Sequence, residues 1–392
     1  WPAFALGDML DVTGQSSGFL QCFSLGILAA ILLQVASQEA PQTSFIASNQ
    51  VQSQTKSQGQ SVWRQGALIS AVFATSAMAA TWGWLYVSMH TYGGLPSWLA
   101  ALAVLLLAAG LSIYFAAAGG VWVALFRRTI LSARLIEGRY ATQTDGMTLA
   151  EFKQGLLGIL LFVALWTMAE LCRGQLLTGF PWGAGGYAHV DSALVAFAPW
   201  VGVYGMGAIA AWLAMRLALT GWRLGALRPL LGVGFLAWAL QAFGPVFTTS
   251  AGLGQVQLLQ ANISQTDKFQ AASGVRDALQ WYDAQLRASQ QPLVVAPETA
   301  IPLLPRHLPE GYWSGLQVHF AQPGRPLALV GVPLGNWDEG YSNSVVALGP
   351  QGAAPYRYDK SHLVPFGEFI PPGFVWFIRM MNIPLGDFKS GG

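Results

Sequence analysis

A short segment near the end of the chain, residues 358–369, brings together Asp359, Lys360, His362 and Glu368 around a Pro/Gly turn. A charged side chain that leaves water loses several kcal/mol unless it is paired or used in chemistry. An ammonium fixed in a dry site can hold the oxyanion of a tetrahedral intermediate, and this is the chemistry we expect of Lys360. Glu368 is close enough in sequence to support Lys360 or to line the same pocket. The alternative interpretation is a solvated loop whose charges have no special role.

A second candidate, Glu298, directly follows a predicted buried strand and is flanked by Pro297 and Pro302. A carboxylate in this position lies at the edge where α/β sheets bind ligands, and it suits a general base. The alternative is a loop glutamate that caps the next turn. The residues themselves do not reveal a nucleophile, because neither cysteine belongs to this part of the chain and no serine stands in a recognisable nucleophile turn.

The elements that must position these residues alternate between strands and helices after residue 250. Apolar runs predict strands at 255–260, 292–297, 327–333 and 344–348, whereas helical spacing of apolar residues predicts helices at 271–289 and 312–321. This alternation predicts an α/β layered domain over 251–392. The number of elements is too small for a closed fold of this type, so we expect the domain to be incomplete at its C-terminus.

The remainder of the chain, residues 1–250, is predicted to be a transmembrane helical domain. Of the 392 residues, 53% are apolar and only 10% are charged, and the mean hydropathy is +0.44. Soluble domains carry about 25% charged residues. The net charge of +2 gives no basis for a nucleic-acid partner.

Long stretches without charge predict membrane helices, since a span takes roughly 20 apolar residues. They lie at about 16–36, 66–89, 97–125, 155–172, 193–216 and 229–247, which gives six spans to within one. Lys and Arg concentrate in the connections 37–65, 127–154 and 216–228, which the positive-inside tendency places in the cytoplasm. The α/β domain is then expected on the outer face.

The sequence also allows expectations for the segment 37–65, for the two cysteines and for the two ends of the chain. The Gln- and Ser-rich segment 37–65 is typical of a disordered or poorly packed loop. Cys22 and Cys172 are predicted to be packing residues of membrane helices; a disulfide between them is conceivable but unsupported, and no His/Cys spacing indicates a metal site or another cofactor. Because the chain begins with Trp1 and ends in two glycines, we expect it to be truncated at both ends.

The motifs resemble those of a known family. Val-Ala-Pro-Glu-Thr-Ala-Ile-Pro at 295–302 and Tyr-Asp-Lys-Ser-His-Leu-Val-Pro-Phe-Gly-Glu-Phe-Ile-Pro at 358–371 resemble the nitrilase-like domain of bacterial apolipoprotein N-acyltransferases. Four segments resemble the membrane spans of the same family, in the family's order: 82–88, 93–96, 170–174 and 178–182. Most of residues 66–392 is covered by the resemblance.

The resemblance implies an α-β-β-α sandwich and a Glu-Lys-Cys triad. Glu298 matches its general base, Lys360 its oxyanion stabiliser and Glu368 a further acidic residue near the active centre. The nucleophilic cysteine of the family lies further along than residue 392, so we expect residues 1–392 alone to be inactive. At an aromatic position that is often Trp in the family, just after the first strand of the soluble domain, this chain has Phe269.

The function implied is ping-pong acyl transfer in the bacterial inner membrane, with the catalytic domain on the periplasmic side. A thiolate takes an acyl chain from a phospholipid donor and passes it to the α-amino group of a diacylated lipoprotein; no cofactor or nucleic acid takes part. Two alternatives remain open: a membrane-anchored amidase with the same triad, and a non-catalytic membrane protein that retains a degenerate domain. Glu170 and Arg173, at the end of one span, are more consistent with mutual pairing on a helix face than with catalysis.

Overall fold

The protein is described here by a computed structural model. The described residues are 16–38, 48–140, 149–220, 225, 227–263, 274–336, 338–350, 356–365, 367–370 and 388–391. The chain divides into two compact units, one of residues 1–88 and 96–247 and one of residues 89–95 and 248–392. Phe269 lies outside the described residues.

The first unit is helical. Its α-helices in the described part of the chain are α1 (Gly18–Ser37), α2 (Ser48–Thr81), α3 (Gly83–Val87), α4 (Ser97–Leu111), α5 (Ile113–Tyr140), α6 (Leu149–Gln175), α7 (Ala198–Thr220) and α8 (Leu227–Phe243). A π-helical turn, Ser88–Tyr92, follows α3, and three 3₁₀ segments lie between α6 and α7 at Leu176–Thr178, Gly185–His189 and Ala193–Phe197.

Several of these helices have the length and composition of membrane spans. Within the described residues, four segments are long and apolar enough to cross a bilayer: Gly18–Ser37, Ser97–Ile130, Lys153–Gln175 and Ala193–Thr220. A fifth arises if Ser61–Thr81 and Gly83–Thr91, which meet at a bend of 55°, form one broken span. Large apolar side chains such as Leu106 and Ile113 are more than half exposed on these helices, as a lipid-facing surface requires.

The bounds of one predicted span and the structure of one predicted loop need correction. The predicted span at 229–247 is helical over Leu227–Phe243, and its 17 residues lie at the lower limit of the about 17–25 that cross the hydrocarbon. Residues 48–65, predicted as part of a poorly packed loop, are helical as the first half of α2. Gln is a good helix former, and extending a helix that an apolar segment has already nucleated costs little, so the polar composition does not stop it. Residues 39–47 of that predicted loop lie outside the described part.

The two cysteines lie in helices of this unit, Cys22 in α1 and Cys172 in α6, and both are free thiols. The predicted fourth span also proves longer than expected. It was predicted at 155–172, and α6 runs over Leu149–Gln175.

The second unit contains a mixed sheet with flanking helices. Its described strands are β1 (Val256–Leu258), β2 (Leu293–Val295), β3 (Leu327–Asn336), β4 (Gly340–Leu348) and β5 (Arg357–Asp359), arranged in the order β1-β2-β3-β4-β5. The pairs β1–β2 and β2–β3 are parallel, whereas β3–β4 and β4–β5 are antiparallel. The predicted α/β alternation is thereby confirmed. Helices α9 (Gly274–Ala288) and α10 (Tyr312–Phe320) fall within their predicted ranges.

The core of this unit lies between the sheet and these two helices. Alternate residues of β3 (Ala328, Val330 and Val332) are fully buried, and they belong to the same apolar cluster as Leu286 of α9 and Phe320 of α10. The turn that follows β2 crosses the opposite face of β3, at Gly331.

Candidate active site

Glu298 is held by a tight turn that follows β2. The Ala300 N–H donates to the Pro297 carbonyl at 3.2 Å, and the Ile301 N–H donates to the Gly331 carbonyl of β3 at 3.1 Å. Ala300 and Ile301 are buried at 1% and 0% exposure, so they anchor the turn while the Glu298 side chain remains 59% exposed. Thr299 has a φ of +52°, a strained conformation for a β-branched residue of the kind that clusters at functional sites.

Lys360 directly follows β5, and the register of that strand determines where it points. The Lys360 N–H donates to the Asn343 carbonyl at 2.8 Å. The preceding residue, Asp359, accepts hydrogen bonds from Ser344 Oγ at 2.6 Å and from Arg357 Nε at 2.9 Å. Successive side chains of a strand point to opposite faces, so Asp359 is fixed on one face of the sheet and Lys360 is directed to the other.

Glu368 lies in a turn that its own carboxylate stabilises. Its backbone N–H donates to the Val364 carbonyl at 2.9 Å, and its Oε2 accepts from the Val364 N–H at 2.8 Å. Only 8% of the residue is exposed. The remaining oxygen, Oε1, is therefore held in a defined position.

These three side chains meet. Lys360 Nζ donates to Glu298 Oε1 at 3.2 Å and to Glu368 Oε1 at 2.9 Å. A fourth residue, Asn343 of β4, donates from Nδ2 to the same two oxygens, with 2.7 Å to Glu368. We call Glu298, Asn343, Lys360 and Glu368 the carboxylate–lysine cluster. Two carboxylates share one ammonium and one neutral amide in it, so its formal charge is negative.

Neighbouring groups shift the pKa values of two members of the cluster, Lys360 and Glu368. Burial alone lowers the pKa of Lys360, but hydrogen bonds and attraction from Glu368 and Glu298 outweigh it and hold that pKa above the ordinary lysine value. Burial raises the pKa of Glu368, but the Val364 N–H, Lys360 and Asn343 together hold it below the ordinary value. At neutral pH Lys360 is therefore a cation and Glu368 an anion.

The arrangement has the elements of acid–base chemistry with oxyanion stabilisation. Glu298 is the more exposed carboxylate and can reach a substrate proton, whereas Glu368 is buried and holds the ammonium in place. Lys360 has three N–H donors, of which two contact carboxylates of the described residues, and the third can serve a developing oxyanion. In the described residues there is no group of three or more His, Cys, Asp or Glu side chains suited to hold a metal ion.

The structure thus brings together the three predicted site residues, from points up to 70 positions apart in sequence, and adds Asn343, which the sequence analysis missed. A signal for it was present: Ser342-Asn343-Ser344 places three polar residues directly before the apolar residues 345–348 of β4. Their catalytic roles remain predictions.

Glu170 and Arg173 are not part of the carboxylate–lysine cluster and contact the loop that follows α6. Both are buried in the first unit, at 2% and 1% exposure. Glu170 Oε1 accepts from the Gly185 N–H at 3.0 Å, and Arg173 donates to the Phe180 and Trp182 carbonyls. Their contacts secure the loop that follows α6, which supports the structural interpretation.

Comparison with known proteins identifies a family that this chain resembles. Residues 25–216 match the family model described as apolipoprotein N-acyltransferase N-terminal domain. The chain is 49% identical over 347 residues to the apolipoprotein N-acyltransferase of Verminephrobacter eiseniae, which covers 84% of this chain and 59% of that protein. The protein of that name from Ralstonia nicotianae is 42% identical over 312 residues, covering 79% of this chain and 55% of that protein. The apolipoprotein N-acyltransferase of Neisseria meningitidis serogroup A is 33% identical over 339 residues, which cover 82% of this chain and 60% of that protein. The chain therefore spans less than two thirds of the length of these curated relatives.

Proposed function

The chain belongs to the apolipoprotein N-acyltransferase family, and from this premise we propose that it serves the N-acylation of lipoproteins with a phospholipid as acyl donor. The observation that carries the proposal is the carboxylate–lysine cluster, in which Lys360 Nζ contacts Glu298 at 3.2 Å and Glu368 at 2.9 Å. It lies on an α/β sheet in a chain whose other unit has helices with the composition of membrane spans. We propose that the complete α/β domain has the nitrilase-like sandwich fold.

In the first half-reaction, Glu298 takes the proton of a cysteine thiol, and the thiolate attacks the ester carbonyl carbon of the phospholipid. The carbonyl oxygen becomes an oxyanion, which the remaining N–H of Lys360 stabilises. When the intermediate collapses, the C–O bond to the glycerol breaks, and Glu298 returns its proton to that oxygen. The products are a lysophospholipid and an acyl thioester. The family resemblance assigns this thiol to a cysteine other than Cys22 and Cys172.

The second half-reaction repeats the same proton transfers on a different nucleophile. The α-amino group of a diacylglyceryl-cysteine lipoprotein attacks the thioester, Lys360 again holds the oxyanion, and Glu298 accepts a proton from the amine as the amide forms. The thiolate leaves and recovers a proton from Glu298. Covalent catalysis in this form divides one difficult transfer into two easier steps.

The proposed location of the protein in the cell rests on the nature of its substrates and on the charges at the helix ends. Both substrates are anchored in lipid, so the enzyme must work at a bilayer surface. Arg127 and Arg128 lie near the C-terminal end of one candidate span, and Arg216 lies near that of another, which by the positive-inside tendency places these ends in the cytoplasm. We propose a multi-pass protein of the bacterial inner membrane with the carboxylate–lysine cluster on the periplasmic side.

The test uses the full-length protein, incubated with phospholipid and a synthetic diacylated lipopeptide. We expect a triacylated lipopeptide with the mass of one added acyl chain. Glu298→Gln and Lys360→Ala should each abolish the covalent acyl-protein thioester while leaving membrane insertion intact. Free fatty acid as the sole product would indicate hydrolysis instead, and thioester formation retained in both variants would refute the assigned roles. Residues 1–392 expressed alone should show no turnover.

A further inference from the structure

The side chain of Asn343 occupies the centre of the carboxylate–lysine cluster. Asn343 lies in β4 at 9% exposure, and its Nδ2 donates to Oε1 of both Glu298 and Glu368. Its backbone carbonyl accepts the Lys360 N–H at 2.8 Å. One residue therefore contacts all three charged members, through its side chain or its backbone.

The charges around Asn343 explain why a neutral donor is needed there. On its own face of β4 are two carboxylates and one ammonium, which leaves one negative charge in excess. On the opposite face, Ser342 and Ser344 contact Asp359, which is also paired with Arg357 at 2.9 Å, so no further cation reaches the cluster from that side in the described residues. Two carboxylates that share a site tend to keep one proton between them.

An amide NH₂ group counteracts this tendency, because it has two donors and no acidic proton. Hydrogen bonds to the charged form of a carboxylate favour that form. A single ammonium cannot fully compensate two carboxylates, and the two N–H bonds of Asn343 supply the missing stabilisation to both oxygens at once. They also fix the direction of Glu298, which is otherwise largely exposed.

We propose that Asn343 is a positioning residue whose amide joins Glu298 to Glu368 and keeps both carboxylates in the charged, proton-accepting form beside Lys360. The proposal deepens the proposed function, since a protonated Glu298 cannot act as a general base. The rival explanation is that Asn343 serves only the packing of β4. Packing alone would change the stability of the domain but not the pH at which the carboxyl groups take up protons.

The experiment is a pH titration of the full-length protein by infrared spectroscopy, which follows the carbonyl band of protonated carboxyl groups. Comparison of the wild type with Glu298→Gln and with Glu368→Gln identifies the signal of the pair. In Asn343→Leu, which has a similar size and no donor, the apparent midpoint of the pair should rise by about one to two pH units, the shift expected for hydrogen bonds to a charged group. Asn343→Asp, which keeps the shape and adds a third carboxylate, should shift it at least as far.

Asn336→Leu is the matched control. Asn336 ends β3 and also donates to a carboxylate, Glu339 Oε2 at 3.2 Å, but it lies outside the cluster. This substitution should leave the midpoint of the pair unchanged. A thermal unfolding curve for each variant establishes that the titrated protein is folded.

The outcomes separate this proposal from the proposed function, because the titration needs no substrate. A midpoint raised in every Asn343 variant that folds supports the positioning role even if no acyl transfer is detected. An unchanged midpoint in a folded Asn343 variant overturns it. The wild type provides a further check that depends on no Asn343 variant: a carboxyl band at pH 7 that disappears in Glu298→Gln or Glu368→Gln would also overturn the proposal.

Discussion

Gly331 of β3 is the position where a single methyl group should disable the candidate site. The turn that carries Glu298 crosses directly over this glycine. A Cβ at residue 331 would lie 2.4 Å from the Pro297 carbonyl oxygen, 2.8 Å from the Thr299 nitrogen and 2.9 Å from the Glu298 Cα. All three are backbone atoms, so no side-chain rotation can make room.

The magnitude of the effect follows from these distances. Ordinary van der Waals contact begins at 3.4 Å, so the turn in Gly331→Ala must move away by about 1 Å, and a misplacement of that size can lower the reaction rate about 100-fold. Overpacking of this kind costs about 1–3 kcal/mol of folding free energy, which lowers the midpoint of thermal unfolding by roughly 3–10 °C. The loss of rate should therefore be large in a protein that still folds.

The assay measures lipopeptide acylation by the full-length protein, alongside thermal unfolding in detergent. Gly254→Ala is the control, because a Cβ at residue 254 of the same unit would meet no atom within 4 Å and the backbone there does not require glycine. That variant should match the wild type in both measurements. Wild-type activity in Gly331→Ala would show that the position of the Glu298 turn does not matter for the reaction, and it would refute the reasoning.

Three other perturbations test separate parts of the structure. The Val364 N–H, Lys360 and Asn343 hold the pKa of Glu368 below its ordinary value, so its charge stabilises the folded domain above about pH 4.3, and this contribution is lost as the pH falls through the lowered pKa. The difference in unfolding free energy between the wild type and Glu368→Gln should be constant near neutrality and should shrink in acid. A difference that does not depend on pH would contradict this assignment. Arg173→Met removes charged hydrogen bonds to two carbonyls, worth about 1.5–3 kcal/mol each, and should lower the unfolding midpoint by at least about 5 °C, whereas an unchanged midpoint would contradict the anchoring role. Alkaline phosphatase fused after Ser250 should be active in cells, whereas a fusion after Thr220 should be inactive, and the reverse pattern would exclude the proposed orientation.

Much of the fold could be predicted because local composition determines it. Stretches without charge predict the apolar helices, and apolar runs predict four of the five described strands of the α/β unit, whereas β5, Arg357–Asp359, contains no such run. The helical start of α2 at Ser48 could not be predicted in this way, because its Gln- and Ser-rich sequence resembles a loop and only its continuity with the following apolar segment makes it helical. The end of α8 at Phe243 could not be predicted for the opposite reason, because residues 244–247 continue its apolar composition without continuing the helix.

The candidate site could be predicted in part, since Glu298 follows a predicted strand, Lys360 and Glu368 lie in one short charged segment, and both motifs resemble those of a known family. What the sequence did not reveal was how two carboxylates share one lysine. That depends on Asn343, whose contacts join residues 45 and 25 positions away, and no local pattern encodes contacts at such separations. The requirement for glycine at 331 is of the same kind, because it depends on a turn from another strand.

Ser342 and Ser344 of β4 fix the register of β5, which the carboxylate–lysine cluster requires. β5 is only three residues long, and a slip of one residue would exchange the faces of Asp359 and Lys360. Asp359 would then face Glu298 and Glu368, which would place three carboxylates together without their cation. The contacts of Asp359 with Ser342, Ser344 and Arg357 oppose that slip, because they satisfy its carboxylate only on the face opposite the cluster. The same strand therefore uses Ser342 and Ser344 to fix the register of β5 and Asn343 to hold the carboxylates that this register brings to Lys360.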